Sequence, residues 1–197
     1  GTSGIAKECL VGWGAASSST VSVAGGHVAD WLAVRFLYGP AAVTLQGGGA
    51  LYADRIYAAA GGGSGTVVFD GGTLGVSSRN PGLSLSDWIN TADFGETVSL
   101  LVRGGGATLD AANGDATLNL PLRRDGASSG GLTKTGGRTL TLAAPYDALV
   151  SDYAGGTRVA GGTLRLVPAP ALVTNAVANP GFESPPYGPG GWNYRTS

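Results

Sequence analysis

The sequence has little of what enzymes and nucleic-acid-binding proteins normally use. Only 13% of its 197 residues are charged, the net charge is −1, and there is one His and one Cys. No basic face marks a nucleic-acid partner, and no apolar run reaches the about 18 residues needed to span a bilayer. One His cannot build a histidine metal cluster, and Cys9 cannot close an intrachain disulfide. We therefore expect no nucleic-acid partner, no membrane insertion by this segment, and no cofactor, metal site or catalytic residues.

What the chain has instead is glycine and short apolar runs. There are 36 Gly and 10 Pro, yet 43% of the residues are hydrophobic, which argues against a disordered tail. Apolar residues alternate with polar ones, as in Thr139-Leu140-Thr141-Leu142, and no segment keeps a helical period over three turns. The pattern predicts an all-β chain with strands at 20–24, 28–36, 42–46, 51–57, 66–70, 73–76, 97–102, 117–120, 138–143, 157–159 and 163–167.

A glycine-pair unit followed by Thr-Leu recurs along the chain. It appears at 71–74, 105–109, 136–140 and 161–164, and its leucines are separated by 35, 31 and 24 residues. Irregular spacing disfavours a propeller and favours a solenoid, in which each turn keeps its strand while the corners vary in length. We therefore predict a right-handed parallel β-helix with glycine-rich corners.

Residues 130–167 carry a more specific pattern. Gly131-Leu132-Thr133-Lys134-Thr135-Gly136-Gly137, Gly155-Gly156-Thr157-Arg158-Val159 and Gly161-Gly162-Thr163-Leu164 resemble the autotransporter-associated β-strand repeat, and Val98–Leu120 resembles the strand region that precedes it. The resemblance implies a right-handed parallel β-helix in a bacterial secreted or cell-surface passenger. It also implies no catalytic residues.

The composition changes at Pro168, because six of the ten prolines lie between this residue and the end of the sequence. We assign residues 1–168 to the solenoid and 169–197 to a Pro-rich linker or tail, or to the start of a following β module. Asn179-Pro180-Gly181-Phe182-Glu183, with Trp192 after it, is similar to the opening of galactose-binding-like jelly-roll modules. The alternating segment that contains Leu172, Val173, Ala176 and Val177 is predicted to add as a strand to an adjacent copy.

Candidate ligand or partner contacts come from two places. Residues 77–96 interrupt the strand rhythm and are predicted to leave the stack as a loop that carries Asp87, Trp88, Asp93 and Phe94. These side chains suit a sugar ring or a calcium ion, and a solvated loop is the simpler interpretation. Tyr187, Trp192 and Tyr194 supply further aromatic contacts near the C-terminus.

Two tyrosines and the single His complete the set. Tyr52 and Tyr57 are five residues apart, so a regular strand would place them on opposite faces. His27 precedes Asp30 by three residues, which suits a base oriented by a carboxylate, but its place after Gly25-Gly26 favours a structural role in a turn.

Three functions follow from these observations. The favoured one is a structural, non-catalytic element of a bacterial secreted or surface protein, either a stalk or a self-assembling fibre unit, whose partners are copies of itself or flanking β modules. The alternative is a glycan-binding adhesin segment. A β-helical polysaccharide lyase or hydrolase fits less well, because such enzymes cluster Asp with Lys or Arg on one face and Lys is nearly absent.

Overall fold

The computed structural model describes residues 8–12, 18–37, 39–58, 64–90, 98–143 and 151–167. All regular elements within these ranges are β-strands, so no helix there is long and apolar enough to cross a membrane. The strands are, in chain order, β1 (Glu8–Val11), β2 (Ser19–Val23), β3 (Val28–Phe36), β4 (Pro40–Gln46), β5 (Ala50–Ala58), β6 (Ser64–Asp70), β7 (Gly72–Gly75), β8 (Ser84–Leu85), β9 (Ile89–Asn90), β10 (Val98–Val102), β11 (Ala107–Asp110), β12 (Asp115–Leu118), β13 (Leu122–Arg124), β14 (Leu132–Thr135), β15 (Thr139–Ala143), β16 (Thr157–Val159) and β17 (Thr163–Val167).

The strands stack into three parallel sheets. The first sheet runs β1-β3-β5-β7-β11-β14-β16, with β9 also paired to β5. The second runs β13-β10-β6-β4-β2, and the third runs β17-β15-β12-β8. Successive strands of one sheet come from successive coils of the chain, which makes about six turns. The predicted all-β solenoid is confirmed.

The cross-section changes along the stack. From β1 to β6 the chain alternates between the first and second sheets, and β3 and β5 are each nine residues long. The third sheet begins at β8, and the consecutive strands β11, β12 and β13 lie one in each of the three sheets. The change takes place on β5, because its first half pairs with β7 and its second half pairs with β9.

The register explains the uneven spacing of the glycine-pair units. Leu74 pairs with Leu109 in the first sheet, and Leu140 pairs with Leu164 in the third. The spacings of 35 and 24 residues are therefore the lengths of turns. The spacing of 31 residues between Leu109 and Leu140 is the distance between strands of two different sheets.

One continuous core fills the stack. Its side chains come from the inward positions of alternating strands, as in β4, where Ala41, Val43 and Leu45 are buried and the residues between them are not. Burial of a Val, Leu or Phe side chain contributes about 1.5–3 kcal/mol, so this column of positions stabilises each turn against its neighbours.

Strict alternation fails in the middle of β5. Leu51 and Ala53 point into the core, as do Ile56 and Ala58, so two consecutive residues between the pairs leave the interior. The expectation that Tyr52 and Tyr57 lie on opposite faces is therefore wrong. Both are half-buried on the outer side, because the bend at residues 54–55 restores them to the same face.

Six strands were not predicted, and most of them are too short to show a period of two residues. They are β1, β8, β9, β11, β13 and β14.

Candidate functional site

The segment that follows Val76 belongs to the stack. Strand β8 pairs with β12 through Ser84 and Leu85, and β9 pairs with β5 through Ile89. The expectation that residues 77–96 leave the stack as a loop is wrong for this part of the segment. The pairing partners lie on other turns, so nothing in the local pattern indicates them.

Trp88 is the residue that holds this segment in place. It is 1% exposed, and its indole Nε1–H donates a hydrogen bond of 2.8 Å to the carbonyl of Ala53. The Trp88 carbonyl accepts the N–H of Ile56 at 3.0 Å. Trp88 therefore spans the bend of β5 and satisfies backbone groups on both sides of it. Its ring faces are covered by the core, which leaves no surface on which a sugar ring can stack.

Of the other predicted ligand contacts, the structure describes only Asp87. Asp87 is exposed, and one carboxylate oxygen lies 3.4 Å from the Nδ2 donor of Asn119. The other predicted contacts and the predicted strand-adding residues lie outside the described residues: Asp93, Phe94, Leu172, Val173, Ala176, Val177, Tyr187, Trp192 and Tyr194.

The start of the same segment is fastened to β3 by Asp30. The Asp30 carboxylate accepts hydrogen bonds from the hydroxyls of Ser77, at 2.6 Å, and Ser78, and its backbone carbonyl accepts Nε of Arg79 at 3.0 Å. Desolvation raises the pKa of Asp30, but the serine hydrogen bonds and the Arg79 charge outweigh it and hold the pKa below its usual value. Asp30 thus stabilises the turn that follows β7 by accepting these hydrogen bonds. His27 is exposed in the turn that precedes β3.

Asp54 anchors the next residues in the same way. One of its carboxylate oxygens accepts Nδ2 of Asn80 at 2.8 Å. Desolvation raises the pKa of Asp54, and the nearby charge of Asp30 acts in the same direction against the Asn80 hydrogen bond. Hydrogen bonds from the same segment lower the pKa of both carboxylates, but for Asp54 desolvation and the Asp30 charge outweigh them, so the net pKa shifts have opposite directions.

Lys134 occupies an interior position. It follows Leu74 and Leu109 in one inward column of the first sheet and precedes Val159 in the next turn. Its side chain is fully buried. An apolar column interrupted by an ammonium group requires a compensating set of acceptors.

Backbone carbonyls at a corner supply those acceptors. The Lys134 ammonium donates to the carbonyl oxygens of Gly136 at 2.6 Å, Arg138 at 2.7 Å and Gly161 at 2.9 Å. Three donors therefore meet three acceptors. Desolvation lowers the pKa of Lys134, and the charges of Asp110 and Asp115 partly oppose that shift. Because Gly161 belongs to the following turn, the ammonium joins two successive turns.

The last described turn exposes apolar side chains. Leu118, Leu142 and Leu166 form one inward column of the third sheet, and exposure rises along it from 1% at Leu118 to 67% at Leu166. Val159 and Val167 are also exposed at this end of the stack. Within the described part of the chain, β16 and β17 are each paired along one edge only.

Sequence reasoning overlooked Lys134, although a signal for it was present. Lys134 has the same parity as Leu132 in a strand of period two, which places both side chains on the inner face. The interpretation of Trp88 as a loop residue had no comparable signal, because its anchor, Ala53, is 35 residues away.

The described residues offer little for metal or redox chemistry. Among them, no group of three or more His, Cys, Asp and Glu side chains could hold a metal ion. Cys9 is half-buried, and desolvation raises the pKa of its thiol, which disfavours the reactive thiolate.

A known family of repeats matches the turns that surround Lys134. Residues 132–166 match the model of the passenger-associated-transport-repeat family, which confirms the resemblance predicted for residues 130–167. The matched segment begins at β14 and ends within β17, so it contains Lys134, its acceptors and the last described turn. No curated protein and no solved structure matches the chain.

Proposed function

We propose that this chain is a structural segment of a bacterial secreted or surface-exposed passenger protein, and that it acts as a rigid spacer rather than as a catalyst. The observation that carries the proposal is the match of residues 132–166 to a passenger-associated repeat whose strands stack in register over successive turns.

The physical basis is the repetition of one backbone geometry. Parallel strands lie about 4.8 Å apart in the hydrogen-bonding direction, so each turn lengthens the stack by that amount. Every turn is hydrogen-bonded to the one before it and shares its core, which resists bending. The side chains that are buried are almost all apolar, and the buried Lys134 is engaged with the backbone.

We further propose that the exposed end of the stack associates with another β segment. Leu166 and Val159 support this, because apolar side chains of this size favour burial and the strand edges beside them favour pairing. Residues 1–168 would then form the solenoid, and the alternating segment at 172–177 would add as a strand to an adjacent copy.

Assembly of the purified chain tests this proposal. We expect the full chain to form end-to-end particles in electron microscopy and small-angle scattering, and a chain without residues 171–197 to stay monomeric. Leu166→Asp should weaken assembly. Thr163→Asp is its matched control, because Thr163 lies on the outer face of the same strand, whereas Leu164 and Leu166 belong to the inward face. A monomeric full chain, or assembly that Leu166→Asp and Thr163→Asp weaken equally, contradicts association through the exposed end. Assembly that is unchanged by the deletion contradicts strand addition by residues 172–177.

The location is tested separately on intact cells that produce the natural protein. We expect added protease to digest the segment without lysis. Complete protection until the cells are lysed contradicts surface exposure.

A further inference from the structure

Four neighbouring strands of the first sheet place two aspartates, a tyrosine and a glycine in one outward row. Asp30, Tyr52, Gly75 and Asp110 occupy consecutive paired positions on β3, β5, β7 and β11. The Tyr52 ring lies over Gly75, where any Cβ atom would overlap it, and its O–H donates to Asp110 Oδ2 at 3.3 Å. Because Gly75 has no side chain, the Tyr52 ring can lie against the sheet in the row that contains Asp30 and Asp110.

An open cleft of about 250 Å³ lies along this row. Its apolar lining comes from Val28, the Tyr52 ring and Ala112. Val28 is 68% exposed, although it belongs to a strand whose inward residues are buried. Sites that enclose drug-sized ligands have volumes of about 300–1,000 Å³, so this cleft suits a ligand of about one ring.

The polar lining comes from Asp30, Ser78, Asp110 and Asn113. Asn113 donates Nδ2 to the carbonyl of Val76 at 2.9 Å, which fixes the amide and leaves its oxygen as an acceptor. The cleft therefore presents mostly acceptors, and its two carboxylates repel anions.

Tyr52 can act as a fixed neutral group in this setting. Desolvation raises the pKa of its phenol, and the charges of Asp110 and Asp30 raise it further. The ring therefore keeps its proton at ordinary pH and stays hydrogen-bonded to Asp110 across Gly75.

We propose that this cleft binds an uncharged pyranose ring. A pyranose has an apolar face of C–H groups, which suits the Tyr52 ring and Val28, and a rim of hydroxyl donors, which suits the carboxylate and amide oxygens. A uronic acid carries a charge of the same sign as Asp30 and Asp110 and is excluded. The proposal is separate from the structural role, because the cleft lies on an outer face of the sheet and shares no lining residue with the exposed end of the stack.

Saturation-transfer NMR on the full chain tests the site. The probes are the methyl glycosides of glucose, galactose, mannose and N-acetylglucosamine, with glucuronic acid as the anionic counterpart. We expect saturation transfer to the ring protons of at least one neutral glycoside and none to glucuronic acid. No transfer to any of the four, or equal transfer to glucuronic acid, overturns the proposal.

Two variants locate the binding. Tyr52→Ala should weaken it at least about tenfold. Tyr57→Ala is the matched control on the same strand, because the Tyr57 ring lies outside the cleft with Arg55 over it at 4.5 Å. Ala112→Trp adds a bulky side chain at an exposed lining position of the cleft and removes no hydrogen-bonding side chain, so it decides the matter if Tyr52→Ala does not fold. Binding that survives a folded Tyr52→Ala or Ala112→Trp, or that is lost equally in Tyr57→Ala, overturns the assignment.

Discussion

The early and late turns of the solenoid solve the same packing problem in different ways. The early turns, β1 to β6, have two long sides that face each other across the core, and large side chains such as Phe36, Leu45 and Phe69 fill the space. The late turns, β10 to β17, have three short sides. Their buried side chains, among the described residues, are Leu, Val and Ala together with Lys134, and none is aromatic.

The corners require glycine for two different reasons. In the early turns Gly25 has φ +62° and open space around it, so it is required by its backbone conformation alone. In the late turns Gly130 has no room for a side chain, because a Cβ atom would overlap the carbonyl oxygen of Arg103. Both kinds of glycine occur in both regions, because a Cβ atom at Gly49 would overlap the Val23 carbonyl and Gly126 has φ +59° with open space around it. The comparison therefore teaches that apolar side chains alone fill the wide core, whereas the narrow core also holds an ammonium group bound by backbone carbonyls.

The largest expected effect is at the junction between the two regions. Trp88→Ala removes a buried ring and leaves the Ala53 carbonyl without its donor, so we expect a loss of about 3–5 kcal/mol in the free energy of unfolding by urea. Trp88→Phe keeps most of the ring and removes only the N–H, and it should cost about 1–3 kcal/mol. Equal stability of Trp88→Ala and the natural chain would show that the junction does not depend on this residue.

The next prediction tests the interior of the late turns. Lys134→Met keeps the length of the side chain but leaves the carbonyls of Gly136, Arg138 and Gly161 without the ammonium, which should cost about 1–3 kcal/mol. Arg158→Ala changes an exposed cation on the neighbouring turn and should stay within about 0.5 kcal/mol. If Lys134→Met is as stable as Arg158→Ala in the same urea experiment, the stability of the late turns does not depend on the Lys134 ammonium.

The two kinds of corner are separated by paired substitutions. Gly25→Ala should cost about 1–2 kcal/mol because of its positive φ, and Gly25→Asn should recover part of this because Asn tolerates that conformation. Gly130→Ala should cost about 1–3 kcal/mol, and Gly130→Asn at least as much, because the obstacle there is space. The thermal midpoints of the four variants measure both trends. Rescue by Asn at position 130 would contradict the distinction.

The smallest effect concerns pH at the segment joining the two regions. Because the folded pKa of Asp30 is lowered, its contribution to stability is complete above its unfolded pKa of about 3.9 and is lost as pH falls through the folded pKa. The stability difference between the natural chain and Asp30→Asn, about 1 kcal/mol or less, should therefore shrink from pH 7 to pH 3.

Asp54→Asn is the control for this pH dependence. The folded pKa of Asp54 is raised, so its contribution is complete below its unfolded pKa and is lost as pH rises through the folded value. We expect the difference in thermal midpoint between each variant and the natural chain to change in opposite directions for Asp30→Asn and Asp54→Asn when the pH is lowered from 7 to 3. Parallel trends for the two variants would contradict the opposite pKa directions of Asp30 and Asp54.

The periodic parts of the fold were predictable from the sequence. The apolar pattern predicts the strand at Val28–Phe36 with its observed bounds, and the Thr-Leu alternation of β15 and β17 predicts which residues face inward. These elements are long or regular enough for a period of two residues to be visible. The repeat at 130–167 was recognised for the same reason, since its strands and glycines keep fixed spacings.

What the sequence did not reveal depends on contacts between turns. The strands Ser84–Leu85 and Ile89–Asn90 have two residues each, so only their partners on other turns identify them. The bend at residues 54–55 that brings Tyr52 and Tyr57 to one face is held by Trp88, 30 or more residues away. No local pattern encodes how many sides a turn has.

The Lys134 ammonium also sets how the stack behaves at its edge. One of its three acceptors, the Gly161 carbonyl, belongs to the next turn. Opening of that turn therefore leaves the Lys134 ammonium of the preceding turn exposed to water or without one of its acceptors. In a one-dimensional array, such a link is a nearest-neighbour interaction free energy that adds to the intrinsic stability of each unit. Hydrogen exchange of the two turns should then be correlated, with fraying that proceeds in pairs of turns rather than singly.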